Sequence, residues 1–140
     1  LMRISGKSGF DAVGLLDFQD AFICHPSYDL VSLLQDARRD VSPDLEQEML
    51  NYYLHLSQDD SASFLKAYRI VGVQRNLRIL GIFSALAAQK GKRRYLDLQP
   101  RVCGYLRRNL SHPVFDDLRS DLRPLLNGPS ALTLQRGSYG

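Results

Sequence analysis

Apolar and polar positions follow two different periods along the chain, and the change comes near Pro26. Before it, LMRISGKSGFDAVGLLDF contains two short apolar segments on either side of the polar turn GKSG. Glycine tolerates the positive φ angles of tight turns, so this stretch predicts a β-hairpin over residues 1–18. A hairpin by itself is marginal in water, and we therefore expect this one to pack against another element.

After Pro26 the apolar residues recur at the spacing of a helix. In YDLVSLLQDARRD they form one broad face, which predicts a helix from about residue 28. Ser42 followed by Pro43 is typical of a helix start and predicts the beginning of the next helix. A third helix is predicted over residues 61–89, with Gly91 as its C-terminal stop.

Two further helices are predicted near the C-terminus. Pro100 opens one that runs through Leu110, and the other begins at Ser111 or His112. Residues 127–140 lack periodicity and are predicted to form an irregular tail. The pattern thus predicts a mainly α unit over residues 1–126, with a small N-terminal β-hairpin.

Composition narrows the class of protein. The chain has 140 residues, 44% hydrophobic and 24% charged, and a net charge of +3, which are ordinary values for one globular domain or part of one. The basic residues are spread along the chain, so we predict no nucleic-acid partner. We also predict no membrane span, because no apolar run approaches about 20 residues. Cys24 and Cys103 lie far apart, which favours a reduced, cytoplasmic protein.

Asp17 is the first candidate for chemistry. It stands inside the apolar run GLLDF, where an unpaired charge costs several kcal/mol. It is either a structural Asp that accepts backbone hydrogen bonds or a ligand of a hard cation such as Mg²⁺. Asp20, three residues later, either contributes a second acidic contact to such an ion or caps the following turn.

The remaining candidates each have a structural alternative. Asp29 precedes an apolar helix and is typical of an N-cap. Gln74 and Arg75 interrupt the long apolar helix and face either a polar cleft or solvent. The basic cluster over residues 90–94 is either a solvated turn or a phosphate contact. The three histidines, His25, His55 and His112, have no partner at metal-ligand spacing and are predicted to be structural or exposed.

Two motifs resemble a known family. GLLDFQDA followed by SYDLVSLLQDAR resembles the C-terminal part of the aminoglycoside/choline phosphotransferases, which have a protein-kinase-like fold. The later run VQRNLRILGIFSALAAQKGKRRYLDLQPRV resembles the bacterial anomeric sugar kinases of N-acetylmuramate and N-acetylglucosamine. The resemblance extends from Leu1 to about Leu126 and implies a truncated C-lobe of this fold.

The resemblance also implies roles for particular residues. Asp17 matches the metal-binding Asp of the kinase DFG motif, here DFQ, and would bind the Mg²⁺ that bridges the phosphates of ATP. Asp29 matches the acid that braces the catalytic loop. Apart from what the resemblance implies, Gln74 and Arg75 are predicted to contact the substrate as polar residues of its pocket. The expected substrates are a nucleotide and a small sugar.

The family's catalytic loop, an HxDxxxxN-like pattern with the catalytic Asp, is missing from this chain, as is the nucleotide-gripping N-lobe. The chain is therefore expected to be the back part of a longer kinase and inactive alone. Two alternatives remain open. In the first, the phosphoryl acceptor is choline, an aminoglycoside or another amino alcohol. In the second, the chain is a non-catalytic helical binding module from a degenerate kinase.

Overall fold

A computed structural model describes residues 2–14 and 23–126. At the N-terminus, β1 (Met2–Arg3) pairs with β2 (Val13–Gly14) in antiparallel register. The connecting loop has positive φ at Gly6 and Gly9 and includes a 3₁₀ turn over Gly9–Ala12. The predicted hairpin is thus confirmed within the described residues, while its expected end at residues 15–18 lies outside them.

The first three helices begin close to their predicted positions, and the third also ends close to its predicted end. They are α1 (Ser27–Leu34), α2 (Pro43–Ser57) and α3 (Ser61–Lys90). The Ser42 hydroxyl accepts a hydrogen bond from the Leu45 backbone N–H at 3.2 Å, which confirms the predicted cap of α2. Gly91 ends α3 with a φ of 63°, as expected of a C-terminal glycine.

The C-terminal helices are α4 (Gln99–Leu110) and α5 (Asp116–Leu126). A 3₁₀ segment over Arg93–Leu98 leads into α4, and the short 3₁₀ turn Pro113–Phe115 leads into α5. His112 caps that turn, because its Nδ1 accepts from the Val114 backbone N–H at 3.2 Å. Ser111 and His112 therefore lie in the connection, and the helix proper begins at Asp116.

Two clusters of buried apolar side chains form the core, and α3 contributes to both. One cluster joins α1, α2 and the first half of α3 around Val31, Leu50 and Phe64. The other joins the second half of α3 to α4 around Leu80 and Leu106. The long helix is therefore the central element, and the shorter helices pack along it.

Among the residues that the structure describes, one helix, α3, has the length and apolar composition needed to cross a membrane. The core helix of a soluble protein passes the same test, so this evidence is weak. Two of its buried side chains, Tyr68 and Asn76, hydrogen-bond to side chains from α2 and from the end of α1. Such contacts are those of a helix packed inside a helical unit.

Candidate functional site

The predicted metal ligand Asp17 and its neighbour Asp20 lie outside the described residues. Within residues 2–14 and 23–126, no group of three or more His, Cys, Asp or Glu side chains is arranged to hold a metal ion. The metal-binding role of Asp17 and the second acidic contact of Asp20 therefore stay predictions that rest on the sequence motif.

Asp29 is the third residue of α1, so it lies in the first turn and is not the N-cap. Pro26 occupies the capping position, which corrects the alternative that Asp29 caps the helix. The exposed carboxylate is favourable there, because the N-terminus of a helix attracts negative charge. Its predicted role in bracing a catalytic loop concerns a segment beyond this chain and stays a prediction.

A cleft of about 300 Å³ lies between α3 and the end of α1 with the turn that follows it. Polar groups enter it from both sides, and apolar side chains form part of its wall. Its lining includes Ser32, Asp36, Arg38, Arg75, Ile79 and Phe83. A concave site with a few converging polar groups is where small molecules commonly bind.

Arg75 and Gln74 are adjacent in α3, but their side chains point in different directions. Arg75 is partly buried and lines the cleft, where its Nη1 donates to the backbone oxygen of Gln35 at 3.4 Å. Gln74 is exposed and is not part of the cleft lining, because consecutive helical residues point about 100° apart. Only one of the two predicted substrate contacts thus faces this cleft.

Burial lowers the pKa of the Arg75 guanidinium from its ordinary value, and the nearby Tyr28 and Asp36 partly offset that effect. Arginine stays protonated in proteins even so, because its ordinary pKa lies far above 7. Arg75 therefore brings a positive charge into a partly desolvated position. The Asp36 carboxylate, also in the cleft lining, accepts a hydrogen bond from the Arg38 backbone N–H at 2.9 Å.

A buried polar network behind the cleft was missed by the sequence analysis. Its centre is Gln35. The side-chain oxygen of Gln35 accepts a hydrogen bond from the Asn76 amide at 2.7 Å and another from the Asn109 amide at 2.9 Å. Its side-chain nitrogen donates to Glu46 at 2.9 Å and to the Asn109 oxygen at 3.1 Å. The network joins the end of α1 to α2, α3 and α4 through hydrogen bonds between buried side chains.

Glu46 is the buried charge of this network. Its carboxylate accepts from Arg108 at 2.6 Å and from the Tyr68 hydroxyl at 3.0 Å, and Arg69 lies 3.6 Å away. Burial, followed by the Glu46 charge, holds the pKa of Tyr68 far above its ordinary value. Tyr68 therefore stays a protonated donor. The signal in the sequence is helical spacing, since Asn76 lies one turn before the buried Leu80 and on the same face of α3.

The basic cluster after α3 lies near the cleft. The Arg94 guanidinium lies 5.3 Å from the centroid of the Tyr95 ring. A hydrogen bond from Arg94 and then its charge lower the pKa of Tyr95, and the charges of Lys92 and Arg38 add to this effect. The Tyr95 ring contacts the ring of Phe83, with 5.1 Å between their centroids. Phe83 and Arg38 line the cleft, whereas residues 90–94 are not part of its lining.

The histidines have local contacts. His25 lies 2.8 Å from the Ser27 hydroxyl, and His112 caps the turn before α5. The two cysteines are free thiols, with Cys24 exposed and Cys103 buried.

Comparison with known proteins gives one consistent group of relatives. No protein-family model matches the chain. It is 41% identical over 121 residues to an N-acetylmuramate/N-acetylglucosamine kinase from Caulobacter vibrioides, covering 86% of this chain and 33% of that relative. This chain is similar to part of a sugar kinase.

Two further relatives carry the same name. The protein from Neisseria meningitidis serogroup B is 36% identical over 102 residues, covering 68% of this chain and 30% of the relative. The protein from Pseudomonas aeruginosa is 34% identical over 129 residues, covering 84% of this chain and 37% of the relative. The chain spans about a third of the length of the curated relatives it matches, so the activity of the whole protein is a matter for proposal.

Proposed function

We propose that this chain is the C-terminal part of an ATP- and Mg²⁺-dependent sugar kinase. The enzyme transfers the γ-phosphoryl group to a sugar hydroxyl, namely the anomeric hydroxyl of N-acetylmuramate or N-acetylglucosamine. The observation that carries this proposal is the identity of 33–41% to several kinases with that name. The DFQDA motif and its likeness to aminoglycoside/choline phosphotransferases support it. Such an enzyme would act in the recycling of cell-wall sugars in the cytoplasm.

Asp17 is the residue we assign to Mg²⁺, with Asp20 as a second acidic contact. Carboxylate oxygens are the hard ligands that this ion prefers, so the donor set fits the metal. When bound, the ion neutralises charge on the phosphates of ATP. Asp29 would hold the catalytic loop, and the Asp of that loop, which lies outside this chain, would accept the proton of the sugar hydroxyl.

The charge of the cleft favours a neutral or anionic sugar over the alternative acceptors. Choline and aminoglycosides are cationic, and cationic ligands are bound by acidic pockets. Here two guanidinium groups, Arg38 and Arg75, line the cleft with one carboxylate, Asp36. An amino alcohol would meet a net positive surface there.

The test uses the full-length protein that contains this chain. Sugar 1-phosphate formation is measured with ATP and Mg²⁺ for the parent, for Asp17→Asn and for the control Asp11→Asn. Asp11 lies in the exposed hairpin loop, so the control makes the same chemical change away from the motif. Loss of a metal ligand should lower turnover by at least about 100-fold, since even outer contacts of metal sites cost about 10–100-fold.

Equal activity of Asp17→Asn and Asp11→Asn would contradict the metal assignment. If the full-length protein phosphorylates choline or an aminoglycoside and neither sugar, the proposed identity of the acceptor is wrong. If it phosphorylates nothing and instead binds an acidic partner with a steep salt dependence, the non-catalytic binding module is the better description.

A further inference from the structure

The cleft beside Arg75 combines charge and apolar surface in a way that selects among sugars. We propose that this cleft binds the carboxylate of an anionic amino sugar, with Arg75 as the residue that distinguishes N-acetylmuramate from N-acetylglucosamine. The two sugars differ by the lactyl ether of N-acetylmuramate, which carries a carboxylate. This inference rests on the proposed function, because it concerns the acceptor of the same enzyme.

Arg75 has unused capacity to bind an anion. One of its guanidinium nitrogens donates to the Gln35 backbone oxygen at 3.4 Å, which is a long hydrogen bond. Guanidinium presents five N–H donors in a planar fork that matches a carboxylate. Because the group is partly buried, a hydrogen bond to a carboxylate there is less screened than one on the surface.

The position of Arg75 is held by the network behind it. Gln35, whose backbone oxygen accepts the hydrogen bond from Arg75, is buried. Its side chain is hydrogen-bonded to Asn76 and Asn109. The turn that carries Asp36 and Arg38 follows Gln35 directly. Supporting hydrogen bonds of this kind keep a binding residue close to one geometry.

The other residues that line the cleft suit the rest of a sugar. Ile79, Ile82 and Phe83 provide apolar surface, and Ser32 and Asp36 add polar groups. The volume of about 300 Å³ is at the lower end of the range for small-molecule sites. Apolar side chains can cover the methyl groups and the C–H face of an N-acetylated sugar, while the polar groups meet its hydroxyls.

The surroundings add a favourable potential for an anion. Arg38 lines the cleft, and the Arg94 guanidinium lies 5.3 Å from the centroid of the Tyr95 ring, which contacts the ring of Phe83. These exposed charges attract an anion over several ångströms, and the attraction weakens with salt. The Asp36 carboxylate opposes this field, and the cations outnumber it.

The experiment measures binding of both sugars to the full-length protein by calorimetry, without nucleotide. Arg75→Gln should weaken N-acetylmuramate binding about 10- to 100-fold, the usual effect of losing a hydrogen bond between charged groups. It should change N-acetylglucosamine binding less than about 3-fold, since no carboxylate contact is lost. The matched control Arg78→Gln, an exposed arginine one turn later and outside the cleft lining, should change neither.

A second variant guards against loss of folding. Arg38→Gln removes an exposed charge from the same cleft, so the fold should persist. We expect about a 2- to 5-fold loss for N-acetylmuramate alone, and the loss should shrink as salt is raised. Circular dichroism verifies that each variant is folded.

Equal losses for the two sugars in Arg75→Gln, or unchanged binding of N-acetylmuramate in both cleft variants, would overturn the proposal. Because binding is measured without turnover, this outcome is distinct from failure of the kinase assignment. If Arg75→Gln weakens binding of N-acetylmuramate alone but the protein forms no sugar phosphate, the cleft proposal stands and the proposed reaction is wrong.

Discussion

Glu46 shows how one residue links several helices. Its side chain is 4% exposed and contacts Arg108, Tyr68 and Gln35, which come from α4, α3 and the end of α1. A buried carboxylate is tolerable only when charges and hydrogen bonds compensate its lost hydration. Glu46 has both kinds of partner, so its removal should cost far more than the removal of a surface acid.

The prediction at this scale compares Glu46→Gln with Glu48→Gln, a neighbouring exposed acid on the same helix. Glu46→Gln should lower the free energy of unfolding by about 3 kcal/mol, because Arg108 and Arg69 lose their buried counter-charge. Glu48→Gln should change it by less than about 0.5 kcal/mol. Urea denaturation of the full-length protein measures both, and similar values for the two variants would contradict a compensated buried charge.

The contact between α3 and α4 depends on the absence of a side chain at Gly72. A Cβ atom at this buried position would clash with the side-chain amide of Asn109. Gly72 thus allows Asn109 to reach Gln35 and close the polar network. The cost of a glycine inside a helix is accepted here because it permits close packing between two helices.

Gly81 provides the matched comparison on the same helix. Within the described part of the chain, no atom lies within 4 Å of a Cβ built at Gly81, whereas a Cβ at Gly72 has no such space. Gly72→Ala should destabilise the protein by about 1–3 kcal/mol through overpacking. Gly81→Ala should stabilise it by about 0.5–1 kcal/mol, because alanine loses less entropy in a helix. Thermal unfolding distinguishes the two, and the same sign for both would show that the Asn109 contact yields easily.

At the scale of the whole molecule, α3 ties two apolar clusters into one helical unit, and some apolar side chains stay uncovered. Leu33 and Leu56 are 51% and 60% exposed. Ile70 of α3 is also exposed. The chain spans about a third of its relatives' length. Under the proposed function, further parts of the kinase supply the catalytic Asp and the nucleotide-binding lobe.

The isolated 140-residue chain should therefore form no sugar 1-phosphate from ATP and either sugar, whereas the full-length protein should. In-line phosphoryl transfer depends on positioning both reactants, and this chain carries only the proposed metal contact and cleft. The assay is paired with circular dichroism, so that a helical but inactive chain is distinguished from an unfolded one. Turnover by the isolated chain would contradict the proposed division of roles.

Local features were predictable because they depend on residues close together in sequence. The caps at Ser42 and Gly91 follow from backbone hydrogen bonding within one turn, and both were confirmed. The assignment of Asp29 as a cap was wrong, since Asp29 is equally favourable two positions inside the helix. The sequence left a polar cleft and solvent as alternatives for Arg75 and Gln74, and only the position of the neighbouring elements places Arg75 beside a cleft.

By itself the sequence determined the helices, their order and the ends marked by Ser42 and Gly91, because hydrophobic period and capping are local properties. Only the tertiary structure decided which polar residues are buried together. Gln35, Glu46 and Asn109 are far apart in the chain, and their hydrogen bonds exist because the helices pack around α3. The cleft has the same origin, since its charges come from two elements that meet only in the folded protein.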